Sequence, residues 1–173
     1  MQFDKSATPP ATLNISAESV NFWRQGFQVQ GANFVLKAVL LELLGHIGMD
    51  QLVAFCYAVG RRVAADFPLG PVETLAEFES VAGRFLTEKG WGWLRIEEKA
   101  DFMDFVHGCA PLRTWFGDRD FDWASSFLEG FYAEWLKQVG GDDQLELRLV
   151  DGPVGEDMVL RFRVMHTSRF GPK

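Results

Sequence analysis

The sequence has few of the residues that mark catalytic, metal-binding and disulfide-stabilised proteins. It holds two cysteines and three histidines in 173 residues, widely separated along the chain. Cys56 lies within the apolar stretch LVAFCYAVG, as a small core residue would, and two such cysteines make no disulfide framework. HExxH, CxxC, GxSxG, P-loop and GxGxxG patterns are absent. The sequence therefore predicts no catalytic residue, no metal ligand and no cofactor.

Positive charge is also scarce. Seventeen Lys and Arg residues face 24 Asp and Glu, which gives a net charge of −7. The longest basic run is the pair Arg61–Arg62. Because a surface that tracks phosphate needs clustered positive charge, nucleic acid and anionic membrane surfaces are excluded as expected partners.

Long apolar runs are missing as well. The most apolar stretch, Phe34–Ile47, is interrupted by Lys37, Glu42 and His46, and it falls short of the ~20 residues that cross a bilayer. The opening residues MQFDKSATPPATLN contain Asp4 and no apolar core of a signal peptide. The sequence predicts a cytoplasmic location.

The hydrophobic periodicity predicts one α+β domain over residues 31–167. A flexible tail with a short helix is expected at 1–30, ending at a break at Gly31, and a C-terminal tail at 168–173. Periods of three and four residues predict helices at about 33–46, 50–66, 72–89 and 122–139, and alternation predicts strands at 93–97, 102–107, 145–149 and 158–164. The order ααα-ββ-α-ββ corresponds to an antiparallel sheet of two hairpins packed with about four helices.

The first predicted helix, which Asn33 would cap, is apolar around most of its circumference. A surface helix of a monomer carries a narrower apolar stripe. Either this helix is central in the fold, or two of its sides meet different partners. Leu40 and Leu44 are the candidate residues for a subunit interface.

Aromatic residues are abundant, with six Trp and 16 Phe. In GWGWLRIEE, alternation places Leu94 and Ile96 on the core side of a strand and Trp91 and Trp93 together on the other. Packing on a helix or a neighbouring subunit is the favoured role for both rings. The alternative is a sugar-stacking platform, for which the candidates are Trp91, Trp93, Trp115 and Trp123.

Three segments occur in an order that resembles the D subunit of bacterial cellulose synthase complexes. They are GWGWLRIEEKADFMDFVHGCAPL, SSFLEGFYAEWLKQVGGDD and MVLRFRV. The motif positions are Trp91–Gly92, Phe105–Val106–His107, Leu128–Glu129–Gly130–Phe131–Tyr132 with Trp135, and Arg161–Phe162–Arg163–Val164. The similarity covers about residues 34–165 and is strongest from Gly90 onward.

The resemblance implies a non-catalytic accessory subunit that forms an octamer, a ring of four dimers. Its expected partners are the cellulose synthase membrane subunits at the inner membrane and a Pro-rich accessory protein of the same operon. The implied role is to help β-1,4-glucan chains form the ordered cellulose of bacterial biofilms. In that family picture, passages between subunits are lined by the segment before the first long helix. The candidate glucan-contacting residues here are therefore Phe27, Gln28, Gln30 and Asn33.

Two functions within this resemblance stay open. The ring could align synthase complexes as a scaffold, or it could guide glucan directly. Scaffolding is favoured, because the glucan travels inside the synthase channel and a cytoplasmic ring need not touch it. A function of another class is a small-ligand sensor similar to vinyl-reductase domains, which an apolar pocket under the sheet near Trp93 would favour.

Overall fold

The computed structural model of the chain describes residues 27–112, 115, 121–154 and 159–170. The helices are α1 (Phe27–His46), α2 (Met49–Asp66), α3 (Leu75–Glu88) and α4 (Phe121–Gln138), and the strands are β1 (Trp93–Glu98), β2 (Met103–Gly108), β3 (Leu145–Val154) and β4 (Val159–His166). A short 3₁₀ turn, Thr167–Arg169, follows β4. The predicted α+β class and element order are confirmed. No helix within the described ranges combines the length and apolarity needed to span a membrane.

The four strands form one antiparallel sheet in the order β1-β2-β4-β3. Phe105 of β2 lies opposite Phe162 of β4, which in turn lies opposite Leu149 of β3. The inner face is apolar and carries Leu94, Phe105, Leu147, Leu160, Phe162 and Val164, all buried. The residues between these positions form the outer face, on the side of the sheet away from this core.

Helix α4 lies at the centre of the molecule. Leu128, Phe131, Tyr132 and Trp135 have no exposed surface. On the sheet side, the Tyr132 ring meets Phe105 and Phe162 at centroid distances of 5.4 and 5.8 Å. On another side, α4 packs along α2, where the Trp135 indole N–H donates to the carbonyl of Phe67 at 2.9 Å.

Two glycines allow α2 and α4 to approach each other closely. A Cβ on Gly60 would lie 1.9 Å from the carbonyl oxygen of Phe127, and a Cβ on Gly130 would lie 2.0 Å from that of Tyr57. Each glycine therefore meets the backbone of the opposite helix, which cannot move as the end of a flexible side chain could. The glycine of the LEGFY motif is thus a packing residue.

Both edges of the sheet are closed by glutamates of the helices. The Ile96 N–H on edge strand β1 donates to Glu79 Oε2 of α3 at 2.6 Å. The Leu149 N–H on edge strand β3 donates to Glu129 Oε1 of α4, also at 2.6 Å. An unpaired edge is a template for pairing with another chain. Occupying these central N–H groups disfavours assembly through the sheet edges.

Two predicted boundaries are wrong. Helix α1 begins at Phe27 and continues through Gly31 and Asn33, so Gly31 is no break and Asn33 is no N-cap. One glycine costs a helix only about 1 kcal/mol, which a helix of 20 residues tolerates. Of the predicted tail at 1–30, residues 1–26 lie outside the described ranges, and 27–30 belong to α1.

The C-terminal tail is predicted to begin at residue 168, but the chain stays in contact with the domain beyond that residue. Arg169 Nη1 donates to Asp101 Oδ1 at 2.7 Å, and the Arg148 guanidinium lies 4.4 Å from the centroid of the Phe170 ring. These contacts hold the chain on the domain through Phe170.

We expect Gly130→Ala to lower the free energy of unfolding by about 2 kcal/mol, because the methyl group would overlap the α2 backbone. Chemical denaturation measures the change. The matched control is Gly83→Ala in α3, where the nearest atom to the new Cβ would be 3.9 Å away. There alanine should raise stability by about 0.5 to 1 kcal/mol through helix propensity. Equal effects of the two substitutions would contradict the close-packing assignment.

Candidate functional site

Helix α1 exposes an unusual amount of apolar surface. Val35 is 65% exposed and Leu41 is 56% exposed, and Leu36 and Val39 are exposed with them. Over residues 35–46 of this helix only Leu40 is buried, against the core. The alternative in which α1 is central in the fold is therefore wrong for the chain by itself, because this part of the helix is covered along one side alone.

Helix α2 buries its small residues and exposes large ones. Its buried positions are Leu52, Cys56, Gly60 and Ala64, spaced four apart on the line that faces α4. Phe55, 45% exposed, and Val59 stand beside that line on the surface. Contiguous exposed apolar surface on a folded chain marks an interaction site. We call the exposed side chains of Val35, Leu36, Val39, Phe55 and Val59 the helix face; Leu41 is exposed on the other side of α1, about 200° around the helix axis from Val39.

An apolar groove of about 310 Å³ opens within the helix face. Its lining residues are all apolar: Leu36, Val39, Leu40, Phe55, Cys56, Val59, Val63, Trp91, Trp115 and Phe127. Burial raises the pKa of the Cys56 thiol to about 11, so the thiol stays neutral. The groove therefore offers shape and apolar contact without charge.

Trp91 forms one wall of the groove and is fixed by ring contacts and backbone hydrogen bonds to the core. Its ring meets Trp115 edge to face at 4.9 Å and Phe131 at 5.4 Å between centroids. Its backbone N–H donates to the Leu86 carbonyl at 2.7 Å. Its carbonyl lies 2.8 Å from His107 Nε2. A carbonyl only accepts, so His107 carries its proton on Nε2 and donates it to Trp91.

The other nitrogen of His107 completes a buried chain of hydrogen bonds. With Nε2 protonated, Nδ1 is an acceptor, and the Tyr132 hydroxyl donates to it across 2.7 Å. Burial lowers the pKa of His107 to about 4, against the smaller opposing effect of the Trp91 carbonyl. His107 is thus a neutral structural link between α4 and the Trp91 turn, and it has no exposed surface.

Gly92 separates the two tryptophans. It has a φ of +104°, and a Cβ there would lie 2.0 Å from the carbonyl oxygen of Gly108. Because this backbone is not extended, the two-residue alternation does not reach back to Trp91. Trp91 turns into the core, and Trp93 lies on the outer face of the sheet. The prediction that both rings share one side is wrong, whereas the core side predicted for Leu94 and Ile96 is confirmed.

The outer face carries a network of paired charges around Asp104. Arg163 donates to both Asp104 oxygens, at 2.9 and 3.1 Å, and Arg161 bridges Asp104 and Glu97 at 3.3 and 2.9 Å. Burial opposes ionisation of Asp104, but the two guanidiniums outweigh it and its pKa is lowered. Arg148 forms a fork with Glu146 on β3.

The structure places the remaining predicted residues as follows. Leu40 and Leu44 lie on the side of α1 that packs against the core. The exposed apolar residues of α1, which are the remaining interface candidates, are Val35, Leu36, Val39 and Leu41. Trp123 is buried, which removes it as a stacking candidate. Phe27, Gln28, Gln30 and Asn33 lie on the first two turns of α1. Among the residues that the structure describes, no group of three or more His, Cys, Asp or Glu side chains could hold a metal ion.

A comparison with protein families matches residues 21–163, most of the chain, to the model that describes the D subunit of cellulose synthase. A comparison with curated proteins gave no match.

We expect stability to fall with pH between about 6.5 and 4, because the unfolded chain then binds a proton at His107 that the folded chain excludes. The contribution of neutral His107 to the free energy of unfolding is complete above pH 6.5. It decreases by about 3 kcal/mol as the pH falls to the pKa of His107 in the folded chain. Denaturant titrations at several pH values measure this dependence. His107→Gln should be less stable at pH 7 but show a flatter dependence. The control His46→Gln removes an exposed histidine and should keep the steep pH dependence of the wild type. An equally steep pH dependence in His107→Gln would refute the assignment.

Proposed function

The chain belongs to the family of cellulose synthase D subunits, and we propose that it acts as a non-catalytic, oligomeric scaffold assembled through the helix face. Membership gives it an accessory role in cellulose synthesis, in association with the synthase complex. The observation that carries the proposal is the exposure of the five apolar side chains of the helix face on α1 and α2. Obligate subunit interfaces have this composition, which resembles a domain core cut in half.

The groove supports assembly by mutual insertion of side chains. A two-fold contact uses the same patch on both copies, so each must present both a projection and a recess. On the helix face, Val35 projects from α1, and the groove between α1, α2 and Trp91 is the recess. One apolar patch therefore meets the geometric demand of a dimer. The octamer expected for this family would then arise from four such dimers.

The amide residues of α1 could contact glucan in an oligomer assembled through the helix face. Gln28, Gln30 and Asn33 lie at the N-terminal end of the helix, ahead of the exposed residues Val35, Leu36 and Val39. Pairing of two α1 helices would bring these ends near a subunit boundary. Uncharged amides can both donate to and accept from sugar hydroxyls. Direct contact with β-1,4-glucan by Phe27, Gln28, Gln30 and Asn33 thus remains part of the proposal, as a secondary role.

The small-ligand sensor is the second candidate function, and its supporting observation is the apolar groove. The groove lies beside Trp91 between the helices, not under the sheet near Trp93. Exposed residues such as Val39 and Phe55 form its rim. An open rim of apolar residues suits another protein surface better than an enclosed small molecule, because small-ligand sites bury most of their ligand. We therefore favour the scaffold, acting beside the membrane synthase subunits and the Pro-rich accessory protein on the cytoplasmic side.

Val39→Asp should reduce the oligomer to smaller species, because it introduces a charge into an interface but lies on an exposed position of the single chain. Light scattering after size exclusion measures the mass. The matched control is Val150→Asp, which makes the same change at an exposed valine of β3 outside the helix face. Wild-type mass in both Val39→Asp and Leu36→Asp would contradict assembly through this face. A monomeric wild type whose melting temperature rises with an apolar ligand would favour the sensor.

In a cellulose-producing bacterium from which the gene for this subunit has been deleted, the wild-type chain should restore cellulose yield and crystalline order. Val39→Asp should fail to do so at equal protein level, whereas Val150→Asp should succeed. Fibre diffraction of the secreted cellulose and immunoblotting of the cells provide the two readouts. Full restoration by a Val39→Asp chain that is shown to be dissociated would separate the function from assembly and overturn the scaffold proposal.

A further inference from the structure

We propose that the outer face of the sheet binds a neutral β-linked glucan chain, with Trp93 as the ring on which a sugar stacks. The binding surface consists of Trp93, Arg95 and Glu97 on β1 and Arg161 and Arg163 on β4, with the two β4 arginines held by the buried Asp104 of β2. The choice of glucan as ligand rests on the proposed function in cellulose synthesis. This surface is separate from the candidate glucan-contacting residues on α1, and of the four tryptophans named from the sequence as an alternative stacking platform it uses Trp93 alone.

The Trp93 indole packs against the backbone of the sheet at Gly108. A Cβ on the facing residue, Gly108, would lie 2.1 Å from both Cε2 and Cζ2 of the indole and 2.6 Å from Nε1. The ring therefore passes directly over the Gly108 backbone, which supports it from below. The side chain is nevertheless 39% exposed. An indole held in place by backbone and partly open to solvent offers aromatic surface on which the apolar C–H face of a pyranose can stack.

Gly92 and Gly108 make this placement possible. Gly92 turns the chain so that Trp91 enters the core and Trp93 emerges on the opposite side. Gly108 lies directly across from Trp93 in the strand register and has no side chain to lift the ring. A tryptophan needed only for burial would gain more from the inner face, where Leu94 and Phe105 are buried.

Two cross-strand rows follow the ring, and the polar side chains in them that reach solvent are arginines and a glutamate, because Val106 and Asp104 are buried. Arg95, Val106 and Arg161 lie side by side across β1, β2 and β4, and Glu97, Asp104 and Arg163 form the next row. Rows two residues apart on a strand are separated by about 7 Å. A sugar stacked on Trp93 would leave the following sugars of its chain above these rows. Guanidinium N–H groups and carboxylate oxygens can then donate to and accept from the hydroxyls.

The charge balance of this face fits a neutral ligand. Arg161 and Arg163 pair with Glu97 and Asp104 within the face, and Arg148 pairs with Glu146 beside them. With Arg95 these residues carry one net positive charge, which is little to hold an anionic chain. Each arginine has five N–H donors, and carboxylates hold several acceptor sites, so hydroxyls can bind without breaking the pairs. A neutral polyhydroxylated chain therefore matches the surface better than a nucleic acid or an acidic peptide.

The test is binding of cellohexaose to the full-length oligomer, measured by isothermal titration calorimetry. Trp93→Ala should weaken binding at least tenfold, and Trp93→Phe should retain part of it. The oligomer mass should stay at the wild-type value, because the ring lies outside the helix face, and the melting temperature should fall only as far as the lost packing on Gly108 requires. The matched control is Phe67→Ala, which removes an exposed ring from the end of α2 and should leave binding unchanged.

Three outcomes would overturn the proposal. They are absence of cellohexaose binding to the wild type at millimolar concentration, wild-type affinity in Trp93→Ala, and a lower oligomer mass in Trp93→Ala, which would make the face a contact between copies. Failure of the scaffold proposal is distinguishable, because it concerns the mass of Val39→Asp. That variant keeps the sheet face intact and should still bind cellohexaose if the chain remains folded.

Discussion

The close approach of α2 and α4 at Gly60 and Gly130 is the constraint on which the rest of the structure depends. Backbone meets backbone at both glycines, so the position of α4 relative to α2 is fixed more tightly than large side chains would allow. From this position Tyr132 reaches the inner face of the sheet and donates to His107. His107 in turn holds the carbonyl of Trp91. A packing contact in the helices is thereby transmitted to the turn that presents both tryptophans.

The same contact explains why the helix face is left uncovered. Helix α2 turns a line of mostly small residues, Cys56, Gly60 and Ala64, toward α4, and this leaves Phe55 and Val59 on its surface. Helix α1 covers only part of α2 and buries Leu40 there. The apolar surface that remains is larger than a monomer needs, and assembly would remove it from water. Because Glu79 and Glu129 occupy N–H groups on the two sheet edges, the helices are the side of the molecule that favours self-association.

Sequence reasoning predicted the element order because hydrophobic period follows directly from helix and strand geometry. It placed Leu94 and Ile96 correctly, since both lie inside a regular strand. It failed at Trp91, because alternation was extended through Gly92, whose positive φ breaks the strand. The prediction of Leu40 and Leu44 as interface residues was limited by a different ambiguity. A helix that is apolar all round does not reveal which side its own chain covers, and only the position of α2 determines that. The groove could not be predicted either, since its walls come from α1, α2, α4 and the Trp91 turn.

The helix face and the outer face of the sheet share no residue, and they differ in chemistry. The first is apolar and gains from removal of water, whereas the second is covered by ion pairs that would lose hydration if another protein surface buried them. A protein contact that covers Glu97, Arg161 and Arg163 would have to replace the hydrogen bonds that these groups make with water, whereas a glucan chain carries hydroxyls that can supply such bonds. Association through the helices therefore leaves the sheet face open to solvent and to ligand. An oligomer built in this way repeats the Trp93 surface once per subunit, so a weak interaction with each glucan chain would be multiplied by the number of copies that one fibre can reach.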